Sequence, residues 1–360
     1  MCEAAFLFSM LFFDNMAETK SVLILNHFPF PYAIARYSNE LKSTMQENSE
    51  LVNVKINPGF DHFPAGTTYE GTGSLTANVV LKNIVFRRLR QHIHSVINGG
   101  GIVHYTDQSM PLFSRGGDRE IVTFHDLFAL KENNGVKGIL YKQYIMEFLK
   151  FKNAIAISEH TRGQLEEAGF SGEISTIYHG IPEIFHPRTN NVEIRRKYGL
   201  PIDKKLIISV SSSAPRKNIQ LLRKIKQNLW DDMEIVRVGP SEGFDLSFEK
   251  VSDETLAELY SAADLFILTS TDEGFNHPVT EAMASGLPVV VSDIEIMREV
   301  TGNAGIFCDV KDEFSFIEGI KSSLEERERY SKLSLTQAKK FTKEKFSKNM
   351  KSYYNKILSI

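Results

Sequence analysis

The chain has 360 residues, 42% of them hydrophobic and 24% charged, with a formal net charge of −3. This is the balance of an ordinary globular protein, too long for one core and suited to two domains; the slight acidity gives no reason to expect a nucleic-acid partner. Cys2 and Cys308 lie at opposite ends and form neither metal-binding nor disulfide spacing, which suits unpaired thiols in a reducing cytosol.

Residues 4–13 form an apolar run far short of the roughly 20 needed to cross a bilayer. Glu3 stands where a secretory signal would carry a base. Met16 suits a true start, so residues 1–20 are expected as a mis-called start or disordered tail, or else as a segment touching a membrane or partner. No export is expected, and the cytoplasm is the predicted compartment.

Strand-like runs are predicted at 21–25, 51–56, 102–105, 120–124, 153–157 and 175–178, with helices at 34–46, 81–97, 139–151 and 159–168 between them. The polar stretch 186–192 is the linker candidate. Beyond it, strands are predicted at 205–210, 233–238, 264–268, 288–292 and 305–308, and helices at 220–229, 253–261 and 314–324. The lysine-rich tail 325–360 has helical period, with Phe341, Phe346, Tyr353, Tyr354 and Ile357 as apolar anchors. Alternating strands and helices are the pattern of α/β folds with parallel sheets, which bind ligands outside the carboxyl ends of their strands.

Two such ends carry chemistry. The segment Glu-Gly-Phe-Asn-His-Pro-Val-Thr-Glu at 273–281 lies between apolar strands and opens a short helix. Its carboxylates, Glu273 and Glu281, can each accept two hydroxyl hydrogen bonds, and the free N–H groups of the helix start suit phosphate. Ser-Ser-Ser-Ala-Pro-Arg-Lys-Asn at 211–218 directly follows a strand. There Arg216 offers a planar fork to phosphate oxygens and Lys217 a point charge. Together they describe a site for a nucleotide sugar.

The 273–290 segment resembles the signature of family 4 glycosyltransferases, retaining enzymes of the two-domain GT-B fold. The loop at 211–218, the strand ending in His125-Asp126, the runs at 154–161 and 177–181 and the strand at 303–307 resemble that family's other motifs in the same order, covering roughly residues 100–325. The resemblance implies two Rossmann-like domains facing across a donor-binding cleft: an acceptor domain at 21–185, a nucleotide-sugar domain at 186–340, and a last helix at 341–360 that crosses back to the first domain.

It also implies roles. Arg216 and Lys217 would grip the donor diphosphate in place of a metal, so no metal or cofactor is expected. Glu281 would hold the ribose hydroxyls. Glu273 would meet the transferred sugar and steady positive charge at its anomeric carbon. Gly274, Phe275 and Asn276, with His277, would present backbone N–H groups, and His125 would approach the donor sugar. His277 departs from the small or aliphatic residue usual there; it either alters sugar choice or faces solvent. His179-Gly180 replaces the usual Asn-Gly. The family's glycine pair after the first strand is absent from 26–34, which carries two prolines instead; Tyr32 and Arg36 are candidates for acceptor binding. The implied partners are a nucleotide-sugar donor and a hydroxyl acceptor, and no oligomeric state is assigned. The basic run at 86–90 with His92 and His94 is either a solvated helix face or a peripheral contact with an anionic inner membrane face.

The function implied is a metal-independent, retaining transfer of a hexose from a nucleoside diphosphate sugar to a glycan, lipid or small-molecule hydroxyl. A nucleotide-sugar-binding non-catalytic subunit, or a GT-B sugar phosphorylase or epimerase, are the alternatives.

Overall fold

The computed structural model of the chain describes residues 22–26, 33–55, 65–70, 79–108, 114, 116–128 and 147–360. The tail at 1–20, the loop at 27–32 with Tyr32 and the glycines at 71 and 73 lie outside the described residues, as does most of the helix predicted at 139–151; its end, Glu147–Lys150, is a 3-10 turn.

The N-terminal half is built from β1 (Val22–Asn26), α1 (Ala33–Met45), β2 (Ser49–Lys55), β3 (Thr67–Glu70), α2 (Val79–Asn98), β4 (Ile102–Tyr105), β5 (Glu120–Phe124), β6 (Asn153–Ala156), α3 (Glu159–Glu167) and β7 (Glu173–Thr176). Its strands form one parallel sheet in the order β3-β2-β1-β4-β5-β6-β7. Val-Leu-Ile-Leu in β1 is buried throughout, as expected where helices cover both faces of a parallel sheet. Alternation divides the core: Leu23, Leu25 and Tyr105 face one side, Val22, Ile24, Tyr37 and Leu41 the other.

The C-terminal half contains α4 (Asn191–Lys197), β8 (Lys205–Val210), α5 (Ile219–Gln227), β9 (Met233–Val238), β10 (Leu246–Phe248), α6 (Asp253–Ala262), β11 (Leu265–Leu268), α7 (His277–Ala284), β12 (Val289–Ser292), α8 (Glu295–Thr301), β13 (Gly305–Cys308), α9 (Glu313–Glu325) and α10 (Arg327–Ala338). Its parallel sheet runs β10-β9-β8-β11-β12-β13. The winding reverses between β8 and β11, and a crevice opens outside their carboxyl ends. The last helix, α11 (Lys343–Leu358), packs Phe346, Met350, Tyr353, Tyr354 and Ile357 into the N-terminal core beside Val22 and Ile24.

Four elements have no counterpart in the sequence reading: β3, β10, α4 and α8. β3 and β10 are short edge strands, and β3 (Thr-Thr-Tyr-Glu) lacks the apolar run of a central strand. The polar stretch 186–192 does not remain a linker to its end, because Asn191 already opens α4. On α2, Arg90 is exposed and His92 pairs with Glu50 at 3.1 Å; the side chains of Phe86, Arg87 and Arg88 are outside the described residues. Among those residues no helix is long and apolar enough to cross a membrane.

Candidate active site

Two loops meet at the β8/β11 reversal. After β8 the chain makes a 3-10 turn, Pro215–Lys217, and Asn218 takes left-handed geometry (φ 50°) before α5 begins, a conformation Asn tolerates better than most side chains. The loop after β11 binds this turn: Thr271 N–H donates to Arg216 O at 2.8 Å, and Thr269 Oγ1 to Lys217 O at 3.0 Å. Lys217 Nζ then reaches Glu273 Oε1 at 2.6 Å, both side chains being largely buried.

Asn276 starts α7. It too is left-handed (φ 72°), and its Oδ1 accepts from Val279 N–H at 3.0 Å, the reciprocal geometry of an N-cap. The cap uses only the carbonyl end of the amide. Asn276 Nδ2, Ser270 Oγ and Arg216 Nε are buried without a hydrogen-bond partner. Buried donors are nearly always satisfied; these three are among nine such side-chain atoms in the described residues.

The N-terminal half closes over this junction. Gly274 lies so near its backbone that a Cβ there would sit 2.0 Å from His125 O, and Gly274 O accepts from Ser158 Oγ at 2.8 Å. Only glycine fits that approach. Arg216 lays its guanidinium over the Phe128 ring, 4.4 Å from the centroid, a cation–π contact between the halves.

His125, at the end of β5, is buried, with Nε2 2.8 Å from Thr106 O. A carbonyl only accepts, so Nε2 carries the proton. Burial pulls the ring below its ordinary pKa, against the opposing charge of Asp107; the neutral imidazole therefore keeps Nδ1 as an acceptor. His125 stacks on His179 (5.3 Å), which meets His277 at 4.5 Å, and Tyr37 stands edge-on to both His125 and His179. His277 is thus half-buried against His179 and Phe275, and burial pushes its pKa down to about 3.

Glu281, one turn into α7, is buried and accepts from Tyr260 Oη at 3.2 Å. It lines a cavity of about 260 Å³ with Arg36, Tyr37, Glu40, His179 and His277. Burial raises its carboxyl to about 7, while Arg36 pulls the other way. Arg36 reaches across from α1 to Asp253 at 3.0 Å.

The structure therefore brings His125, Arg216, Lys217, Glu273, Gly274, Phe275 and Asn276 together at the β8/β11 reversal, and sets Glu281 in a cavity beside them that His179 and His277 line with it. Sequence reasoning passed over Phe128, Tyr260 and Ser270, whose parts depend on which elements face one another. Among the described residues no three His, Cys, Asp or Glu side chains are grouped to hold a metal ion.

Residues 190–340 match the family of group 1 glycosyl transferases. The chain is 34% identical over 156 residues to O-antigen chain mannosyltransferase B of Escherichia coli, covering 37% of this chain and 41% of that one. It is 25% identical over 241 residues to O-antigen chain mannosyltransferase RfbU of Salmonella typhimurium, covering 61% and 64%. The chain thus spans less than two thirds of these relatives' length. Anabaena HepE, solved in complex with UDP and glucose, superposes with a TM-score of 0.76 at 13% identity, over 93% of this chain and 99% of that one. The fold is GT-B. The C-terminal half of the chain resembles a group 1 glycosyl transferase domain.

Proposed function

We propose that the chain is a retaining glycosyltransferase of the cytoplasm, moving a hexose from a nucleoside diphosphate sugar to a hydroxyl acceptor without metal or cofactor. One observation carries this reading: the loop bearing Arg216 and the Lys217–Glu273 pair is bonded to the loop that leads into the start of α7, at the β8/β11 reversal. As the bond from the anomeric carbon to the diphosphate oxygen stretches, negative charge grows on the phosphate; fixed cations and a helix N-terminus stabilise it there. The acceptor oxygen then bonds to the anomeric carbon on the face the phosphate leaves, and the acceptor's proton passes to the departing phosphate oxygen. No carboxylate need attack, which fits Glu273 being held by Lys217. Glu281 suits the ribose hydroxyls as a two-fold acceptor, and His125 Nδ1 suits a hydroxyl of the sugar. The relatives' mannosyltransferase names and the UDP and glucose bound to HepE support this class of donor.

The test is a thermal-shift screen of UDP, GDP, ADP and dTDP sugars, mannosyl donors first, followed by turnover with the product's anomeric configuration read by NMR. At 100 times its dissociation constant the cognate donor adds about 2.7 kcal/mol of stability. Expected are one responsive base, retention of configuration, turnover unchanged by EDTA, and none in Arg216→Ala. An inverted product, full inhibition by EDTA or normal turnover in Arg216→Ala would overturn the proposal.

A further inference from the structure

Arg237 lies on β9 with no accessible surface. Its neighbours Val236 and Val238 face one core and Ile235 the other, so strand alternation places Arg237 on the Ile235 face, among apolar side chains. A guanidinium costs several kcal/mol to bury and is normally paired with a carboxylate there. Among the described residues Arg237 has none: its charge is opposed only by burial, which lowers its pKa to about 10. What holds it is backbone. Nη1 donates to Ser209 O at 3.3 Å and Val238 O at 3.1 Å, and Nη2 to Ser211 O and to Ser212 O at 3.4 Å; Nε has no partner.

Two of those carbonyls belong to the first residues of the loop that ends in Arg216 and Lys217. Gly239 seals the same corner. Its φ is 137°, and a Cβ there would lie 2.2 Å from Ser211 O. The guanidinium is therefore wedged beneath the loop whose upper side faces the crevice. Of the acids on the facing loop, Glu273 is held by Lys217 and Asp272 lies 3.9 Å from His160. Arg216, Lys217 and Arg237 together outnumber the two acids of that loop, Glu273 and Asp272, and a buried charge without a counter-ion acts in a weakly screened medium.

Building on the donor reading above, we infer that Arg237 is a third cation of the diphosphate site, a positioning residue that shapes the 211–217 loop and raises its affinity for pyrophosphate from beneath. The missing counter-charge is supplied by the bound anion rather than by the fold.

The test is isothermal titration of inorganic pyrophosphate, at fixed ionic strength, into the full chain and its Arg237→Gln, Arg237→Lys and Arg216→Ala variants. Gln keeps donors for the carbonyls and loses the charge; Lys keeps the charge. Expected is about tenfold weaker binding in Arg237→Gln, the scale of one charge–charge interaction near a protein surface, and binding within about threefold of the parent in Arg237→Lys. Equal weakening in both variants would mean that the residue only braces carbonyls, and unchanged affinity in Arg237→Gln would mean that its charge is not felt; either overturns the inference. Should the Gln variant not fold, Arg237→Lys decides alone: affinity kept within threefold sustains the inference, and a larger loss ends it. Loss of binding in Arg216→Ala with none in Arg237→Gln leaves the donor site standing and removes only Arg237 from it. A parent chain that binds no pyrophosphate removes both.

Discussion

Burial pushes the Glu281 carboxyl up to about 7, against the Arg36 charge and the Tyr260 hydrogen bond, which favour ionisation. The consequence for folding has a definite sign. A raised carboxyl stabilises the native state while protonated, fully so below its ordinary 4.5, and that stability is lost as pH rises through about 7. Ionised at pH 8, it costs the free protein about 3 kcal/mol, since each tenfold change in proton affinity is worth about 1.4 kcal/mol. A nucleotide whose ribose hydroxyls donate to the carboxylate pulls the other way. Its binding should tighten from pH 6 to pH 8 and release a proton, visible as a buffer-dependent enthalpy in calorimetry. Glu281→Gln, neutral throughout, should melt higher than the parent at pH 8 and no higher at pH 4.5. It should bind nucleotide about tenfold more weakly, the worth of charge-assisted hydrogen bonds, with no pH dependence across that window. A parent-like pH profile in the Gln variant would place the ribose elsewhere.

At the scale of elements, α11 connects the end of the chain to the floor of the site. Tyr354 Oη lies 2.6 Å from His104 Nδ1, His104 Nε2 lies 2.7 Å from Thr123 Oγ1, and Thr123 meets Tyr37 Oη at 2.9 Å. Tyr37 in turn stands edge-on to His125. His104 is fully buried, and burial pushes its pKa down to about 3, so the relay runs through a neutral ring. Tyr354→Phe keeps the ring volume and strands His104 Nδ1. It should cost about 1–3 kcal/mol in denaturant unfolding, the penalty of an unsatisfied buried polar atom; a change below about 0.5 kcal/mol would show that water or rotation replaces the hydroxyl. The contrast with what could be read beforehand is physical. Central strands such as β1 and β8 are near-continuous apolar runs because both their faces are covered, and Arg216, Lys217 and Glu273 sit in loops that directly follow such strands, so local order alone marks them. Tyr354, Phe128 and Tyr260 act through neighbours 21 or more residues away in the chain, and no local pattern reports those pairings. Arg237 lies within the strand predicted at 233–238, and nothing in that local pattern reports the loop carbonyls it meets.

At the scale of the whole molecule, the two sheets meet along two different kinds of joint. On one side Glu299 of α8 accepts from Glu159 N–H at 2.7 Å and His160 N–H at 2.9 Å, filling the free donors at the start of α3; Gly274 against His125 is equally close, with no side chain to yield. Arg36 and Asp253 face each other on the other side, with over a third of each side chain in solvent. An exposed pair of that kind contributes at most about 1 kcal/mol, so Arg36→Ala should scarcely move the melting temperature. Its effect should surface elsewhere. Arg36 is the cation that holds Glu281 down toward ionisation from the opposite half, and it does so only while the halves are closed. Removing it should carry the pH midpoint of nucleotide binding upward, by about half a pH unit or more for a partly screened neighbouring charge. Calorimetric titrations of UDP and GDP between pH 5.5 and 9, in parent and Arg36→Ala, measure that midpoint. An upward shift with an unchanged melting temperature would show that the N-terminal half tunes the acid of the C-terminal half across the crevice. An unmoved midpoint would mean that Arg36 stands away from Glu281 in solution, with the halves held apart on that side.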